Sequence, residues 1–195
     1  MTRWLLLAIA LVAAWYVWPS REVRHAPGAV AAGAPVQRDL RGVGPRLSRA
    51  GYEIRPLAHF EIEARVLGVE RYRFGREAEL SPVDLALGWG RMSDSAVLER
   101  ITISQGQRFY YWRTPEFPIP RREIETSSAN MHMIPADAAV ARRLDDVRRG
   151  QIVRISGYLV EARGADGWRW TSSLTRDDTG HGSCELVWVE QLEPR

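Results

Sequence analysis

Apolar and polar positions alternate most cleanly over residues 59–67, where Phe60, Ile62, Ala64 and Val66 share one face and charged side chains the other. That is the period of a half-buried strand. Gly68 follows, and residues 69–74 continue this strand or pair back on it. Ser81, Pro82 and Asp84 predict a helix start, with Ser as N-cap, Pro in the first position and an acid in the first turn. Leu85 to Leu87 is then stopped by Gly88 and Gly90, so that helix is short. Ser93, Asp94 and Ser95 cap another helical turn reaching Leu98. The aromatics of residues 108–113 predict a strand, and the three prolines of residues 114–120 a rigid connection. Ala138, Val140, Ala141, Leu144 and Val147 recur at helical spacing behind Asp137, with Arg148, Arg149 and Gly150 closing the helix. A strand over residues 151–161 carries Gly157 at its middle, the mark of a bulge, a sharp bend or a close backbone approach. Residues 164–167 make a hairpin turn, Trp168 and Trp170 share one face of the next segment, and residues 184–190 form a last strand.

These elements predict a mainly β (α+β) domain: a small curled antiparallel sheet or an OB-like barrel with one or two short helices. The passage from the helix through Arg148, Arg149, Gly150 and Gln151 into Val153-Arg154-Ile155-Ser156-Gly157-Tyr158-Leu159-Val160 is similar to the first bent strand of the oligonucleotide/oligosaccharide-binding (OB) barrels. The resemblance spans about a dozen residues and implies a fold only, since such barrels host many unrelated functions.

The N-terminal end is of another kind. Residues 4–18, from Trp4 to Trp18, contain no charged residue. Fifteen residues in a helix reach ~22 Å, short of the ~30 Å hydrocarbon core. Trp4 at one end and Trp15, Tyr16 and Trp18 at the other suit the two headgroup levels, and Arg3 can snorkel. The small residues that signal peptidase prefers, around Ala29–Ala34, lie beyond Pro19, Arg21, Glu22 and Arg24, so the segment reads as an uncleaved anchor rather than a removed signal. Residues 19–50, rich in Ala, Gly, Pro and Arg, lack a period of 2 or 3.6 and read as a flexible stalk. The expected organisation is therefore an anchor over 1–18, a stalk over 19–50 and a β-rich domain over 51–195. The domain is expected outside the cytoplasm, in the periplasm or extracellular, on a single-pass anchor.

Composition adds restraint. The chain has 195 residues, room for one domain of ordinary size, and a single Cys excludes an internal disulfide. All 27 basic residues are Arg, and the net charge is +3. Residues 19–55 carry seven Arg against three acids, whereas residues 56–195 carry 19 Arg against 21 acids. A groove that tracks phosphates would place its charge on the folded part, so nucleic acid is an unlikely partner.

Two polar segments, residues 126–135 and 172–185, hold the candidate chemistry. Cys184 with His132 or His181 as base, and Asn130 or Asp178 holding the ring, is the material of a thiol hydrolase or transferase. A free Cys on a closing strand also packs as a small hydrophobe. His132, His181 and Cys184, with Asp178, are zinc-type ligands, but no His-x-x-His or Cys-x-x-Cys pair fixes two of them on one element. No cofactor is expected. Trp168, Trp170, Tyr158 and Arg176 form a candidate ligand platform, alongside Trp89, Trp112, Tyr110 and Tyr111. The expected function is binding or assembly at the cell envelope, through a protein or envelope component, with the Cys/His enzyme and the zinc domain as alternatives.

Overall fold

The computed structural model describes residues 22–40, 42, 44–175 and 184–195. The anchor segment, and with it Arg176, Asp178 and His181, lies outside the described residues. Among the described residues no helix is long and apolar enough to cross a membrane.

The described strands are β1 (Val36–Asp39), β2 (Leu47–Arg49), β3 (Tyr52–Arg71), β4 (Val83–Gly88), β5 (Thr102–Gly106), β6 (Phe109–Arg113), β7 (Ser128–Pro135), β8 (Ile152–Arg163), β9 (Arg169–Thr171) and β10 (Glu185–Pro194). The helices are α1 (Arg76–Leu80), α2 (Ser95–Leu98), α3 (Arg121–Thr126) and α4 (Ala138–Asp146), with a 3-10 turn at Gly90–Ser93.

Five strands close on themselves: β3 pairs with β4, β4 with β7, β7 with β10, β10 with β8, and β8 with β3 again. All these pairs are antiparallel except β7 with β10, so the expected antiparallel sheet is in fact mixed. The parallel pair follows from connectivity, because α4 carries the chain from β7 to β8 and the hairpin out of β8 returns it as β10, in line with β7. The closed path fits an OB-like barrel. The helix-to-strand passage that resembled a first bent strand is instead the crossover between the third and fourth barrel strands.

Alternate residues fill the barrel. Phe60, Ile62, Ala64 and Val66 of β3 meet Val83, Leu85 and Leu87 of β4, Met131 and Met133 of β7, Val153, Ile155 and Leu159 of β8, and Val187 and Val189 of β10. The alternation predicted over residues 59–67 is thus one wall of the core. Residues 81–87, expected as a short helix, are mostly β4. All six residues of β4 are buried, so there is no wet face to betray its period of 2. Gly157 faces Val189, and a Cβ there would lie 1.9 Å from the Trp188 carbonyl oxygen. β10 bulges between Val189 and Gln191, so the close approach expected at Gly157 is present. Asp137 caps α4 by accepting from the N–H groups of Ala139 (2.7 Å) and Val140 (2.8 Å). At the other end Arg71 donates to the Asp145 and Val147 carbonyls at 2.7 and 3.0 Å, occupying acceptors the helix leaves free.

The stretch expected as a flexible stalk is laid on the barrel. β1 and β2 pair with β3. Residues 22–31 cross one end of the barrel as a strap. Val23 donates to Arg149 O (2.9 Å), and Gly90 to Ala31 O (2.8 Å). Ser95 donates to His25 O (2.8 Å), and Ser93 Oγ accepts from both Val30 and Ala31 (3.1 Å each). Backbone polar groups meet their partners here without any hydrophobic periodicity, which is why the pattern did not announce it.

Candidate functional site

On the outer face of the barrel Asp84 of β4 stands opposite His132 of β7, and Ala86 opposite Asn130. Such a face would ordinarily be wet. Here the β5–β6 hairpin and Trp170 of β9 cover it, leaving Asp84, Asn130 and His132 at most 3% exposed.

The hairpin delivers Arg108. Its two-residue turn, Gln107 and Arg108, has positive φ at both positions, 53° and 70°. That backbone suits a tight hairpin but disfavours residues other than Gly and Asn. Arg108 is held there on every side. Its N–H donates to the Tyr72 hydroxyl (2.9 Å), and its guanidinium lies 3.7 Å from the Tyr72 ring centroid. Nη1 donates to Asp84 Oδ1 (2.7 Å) and to Ser81 O (2.9 Å), while Nε lies 3.4 Å from Glu77 Oε2. Asn130 Nδ2 donates to the Arg108 carbonyl (2.9 Å) and lies 3.4 Å from Asp84 Oδ2. Gln105 Nε2 donates to Asn130 Oδ1 (2.9 Å). His132 Nδ1 is 3.0 Å from Asp84 Oδ2, out of line for a hydrogen bond, and its ring is 4.8 Å from that of Trp170. The buried carboxylate is therefore compensated by a fixed cation and polar donors, as burial of charge demands. The cluster pins the hairpin to the barrel.

Beside it the hairpin and α3 enclose a cleft of about 660 Å³. Trp89, Tyr110, Trp112 and Phe117 supply aromatic surface, and Arg113, Arg121 and Glu125 charge. Phe117 meets Trp112 edge-on at 6.1 Å, and Arg121 donates to Glu125 Oε1 (2.8 Å) with its guanidinium 5.9 Å from the Trp112 ring. Ser128 Oγ donates to Ile124 O (2.7 Å), so the Tyr110 hydroxyl, 2.5 Å away, donates to Ser128. Burial pushes the Tyr110 phenol up to about 12, outweighing the bond to Ser128, with the Glu125 and Glu185 carboxylates adding to the rise. At neutral pH it is a neutral donor.

Asn130 and Cys184 are brought together at this cleft, and both line it. Cys184 is partly exposed, its Sγ 3.8 Å from the Arg108 carbonyl. His132 shares their face of the sheet but is sealed beneath Trp170 and does not line the cleft. Trp170, Trp168 and Tyr158 pack around a second apolar cluster with Tyr52, Leu186 and Trp188. Trp168 meets Tyr52 edge-on at 5.4 Å and lies 4.6 Å from the Arg76 guanidinium. Arg176, Asp178 and His181 fall outside the described residues, and among the described residues no three His, Cys, Asp or Glu side chains gather closely enough to hold a metal.

Sequence reasoning missed Asp84, Gln105 and Arg108. For Asp84 a signal existed: one acid inside Val83-Asp84-Leu85-Ala86-Leu87 is a charge in an apolar run, and a buried charge needs a partner. Arg108 is one of 27, and nothing local marks it.

Comparison of the chain with protein-family models, with curated proteins and with solved structures finds no match.

Proposed function

We propose that this chain is an extracytoplasmic OB-like barrel, tethered to the cell membrane through residues 4–18, that binds a protein or envelope component in its aromatic cleft without chemistry. The cleft supports this reading: its walls present flat apolar rings beside fixed charges, the combination that anchors binding surfaces. The outer face of β4 and β7, where OB barrels take oligonucleotides, is covered by the hairpin, in line with a partner other than nucleic acid. The experiment is complementation of a deletion strain. Trp112→Ala and Arg121→Ala, each folded, fail to restore function, and Cys184→Ala restores it. The reverse pattern overturns the reading.

A Cys184-dependent hydrolase or transferase is the second reading, favoured by one observation: Cys184 opens on the cleft next to Asn130. It requires a depressed thiol pKa. Iodoacetamide labelling of the native protein that is fast at neutral pH supports it, and labelling that appears only on unfolding removes it.

A further inference from the structure

The apolar run ends at Trp18 and the strap begins at Glu22. The four Cα-to-Cα steps from Trp18 to Glu22 reach at most ~14 Å even when fully extended. From Val23 onward the chain belongs to the barrel. Val23 approaches Gly150 so closely that a Cβ there would lie 1.9 Å from the Val23 carbonyl oxygen, and Gly150 has φ +85°. His25 Nε2 donates to Gly150 O (2.7 Å), and Gly28 donates to Asp94 Oδ1 (2.8 Å). The described residues of the stretch that would make a tether are thus taken up by the fold.

We propose that the barrel is seated directly on the bilayer, with the end crossed by the strap against anionic headgroups. This rests on the reading of residues 4–18 as an anchor. That end offers individual cations to the headgroups. Arg24 and Arg149 are exposed there and Arg148 is half-buried. Beneath the strap Arg65, 6% exposed, donates to Ser95 Oγ (2.8 Å) and Ser93 O (3.1 Å) and has no carboxylate at ion-pair distance among the described residues. The acids nearest the strap are Glu22, Asp94 and Glu99, and Asp145 and Asp146 lie beside Arg148 and Arg149. Glu22 pairs with Arg149 at 3.3 Å, and Asp94 accepts from two backbone N–H groups, those of Gly28 and Ala96. Arg65 is covered by the strap, so it is the exposed Arg24 that remains to be met by lipid phosphate, within a Debye length of ~8 Å of the surface.

The aromatic cleft then opens at a fixed height above the membrane rather than sweeping a volume on a flexible chain. A partner engaged there is itself held near the bilayer.

The test uses the full chain in phosphatidylethanolamine–phosphatidylglycerol vesicles carrying a headgroup-level quencher. A fluorophore is placed through Ala96→Cys, beside the strap, or Ala165→Cys, each in a Cys184→Ser background. β8 leaves the strap end at Ile152 and runs twelve residues, ~36 Å of strand path, before the turn that holds Ala165. Quenching several-fold stronger at position 96 than at 165 is expected. Gly150→Ala, which drives a methyl into the Val23 carbonyl, reduces that difference; if it does not fold, Ser95→Ala, which removes the bond to His25, does so more weakly. Chain retained after a carbonate wash but quenched equally and weakly at both positions overturns the seating and leaves the anchor standing. Chain released by the wash overturns both.

Discussion

Asn130 and Cys184 converge on one acceptor, the main-chain carbonyl of Arg108: the Asn130 amide donates to it at 2.9 Å and the Cys184 sulfur lies 3.8 Å from it. The turn that carries Arg108 is thereby tied to β7 and to the start of β10 at once. Removing Asn130 strips that carbonyl of its amide donor and Gln105 of its acceptor. Asn130→Ala is expected to cost about 1–3 kcal/mol in urea unfolding. Asn130→Asp costs more, because it sets a second carboxylate beside Asp84. A smaller loss for Asp than for Ala would refute this account.

Asp84 is the counter-charge of the cluster. Asp84→Ala leaves the Arg108 guanidinium, 13% exposed as a side chain, without the acid it pairs with at 2.7 Å. Breaking one half of a buried pair costs about 3–5 kcal/mol. Asp84→Asn keeps an acceptor and is expected to lose less, as chemical denaturation of the two variants will show.

The two turn residues respond in opposite directions. Gln107 is exposed, so Gln107→Gly relieves a left-handed backbone of ~1 kcal/mol at no loss of contact, and thermal melting should rise slightly. Arg108→Gly relieves the same strain yet melts lower, because the contacts to Asp84, Ser81 and the Tyr72 ring go with it.

Arg76 grips Asp166 with two hydrogen bonds of 2.7 and 2.6 Å, which hold the carboxyl down at about 2. A folded-state pKa below the unfolded one means the pair's contribution is complete above the ordinary carboxylate range and is lost as pH falls towards about 2. Carbon NMR titration should place the Asp166 midpoint near that value, and Arg76→Gln should return it upward. An unchanged midpoint in the variant would assign the shift to something else.

What the sequence disclosed depended on which surfaces meet water. Residues 59–64 alternate in exposure because only one face of β3 is buried there, and Asp137 announced α4 because a cap is a local device. β4 and β7 are buried on both faces, so the first resembled a capped helical turn and the second a polar loop. Ser81, Pro82 and Asp84 have the chemistry of a helix start, yet Asp84 answers to Arg108, 24 residues away. The candidate chemistry was half legible. Asn130 and Cys184 were chosen as polar residues in unusual segments and do meet at the cleft, whereas the packing of Trp170 over His132 is a tertiary event that no local pattern records.

The parallel pairing of β7 with β10 also constrains the order of assembly. β10 is inserted between β7 and β8, both made before it, and it supplies Val187, Val189 and Leu192 to the core. A nascent chain that has not yet released residues 185–194 has an open sheet with two unpaired edges and a gap in its interior, the state in which strands find wrong partners. Closure of this barrel therefore awaits its last strand, and until then the chain needs protection from its neighbours.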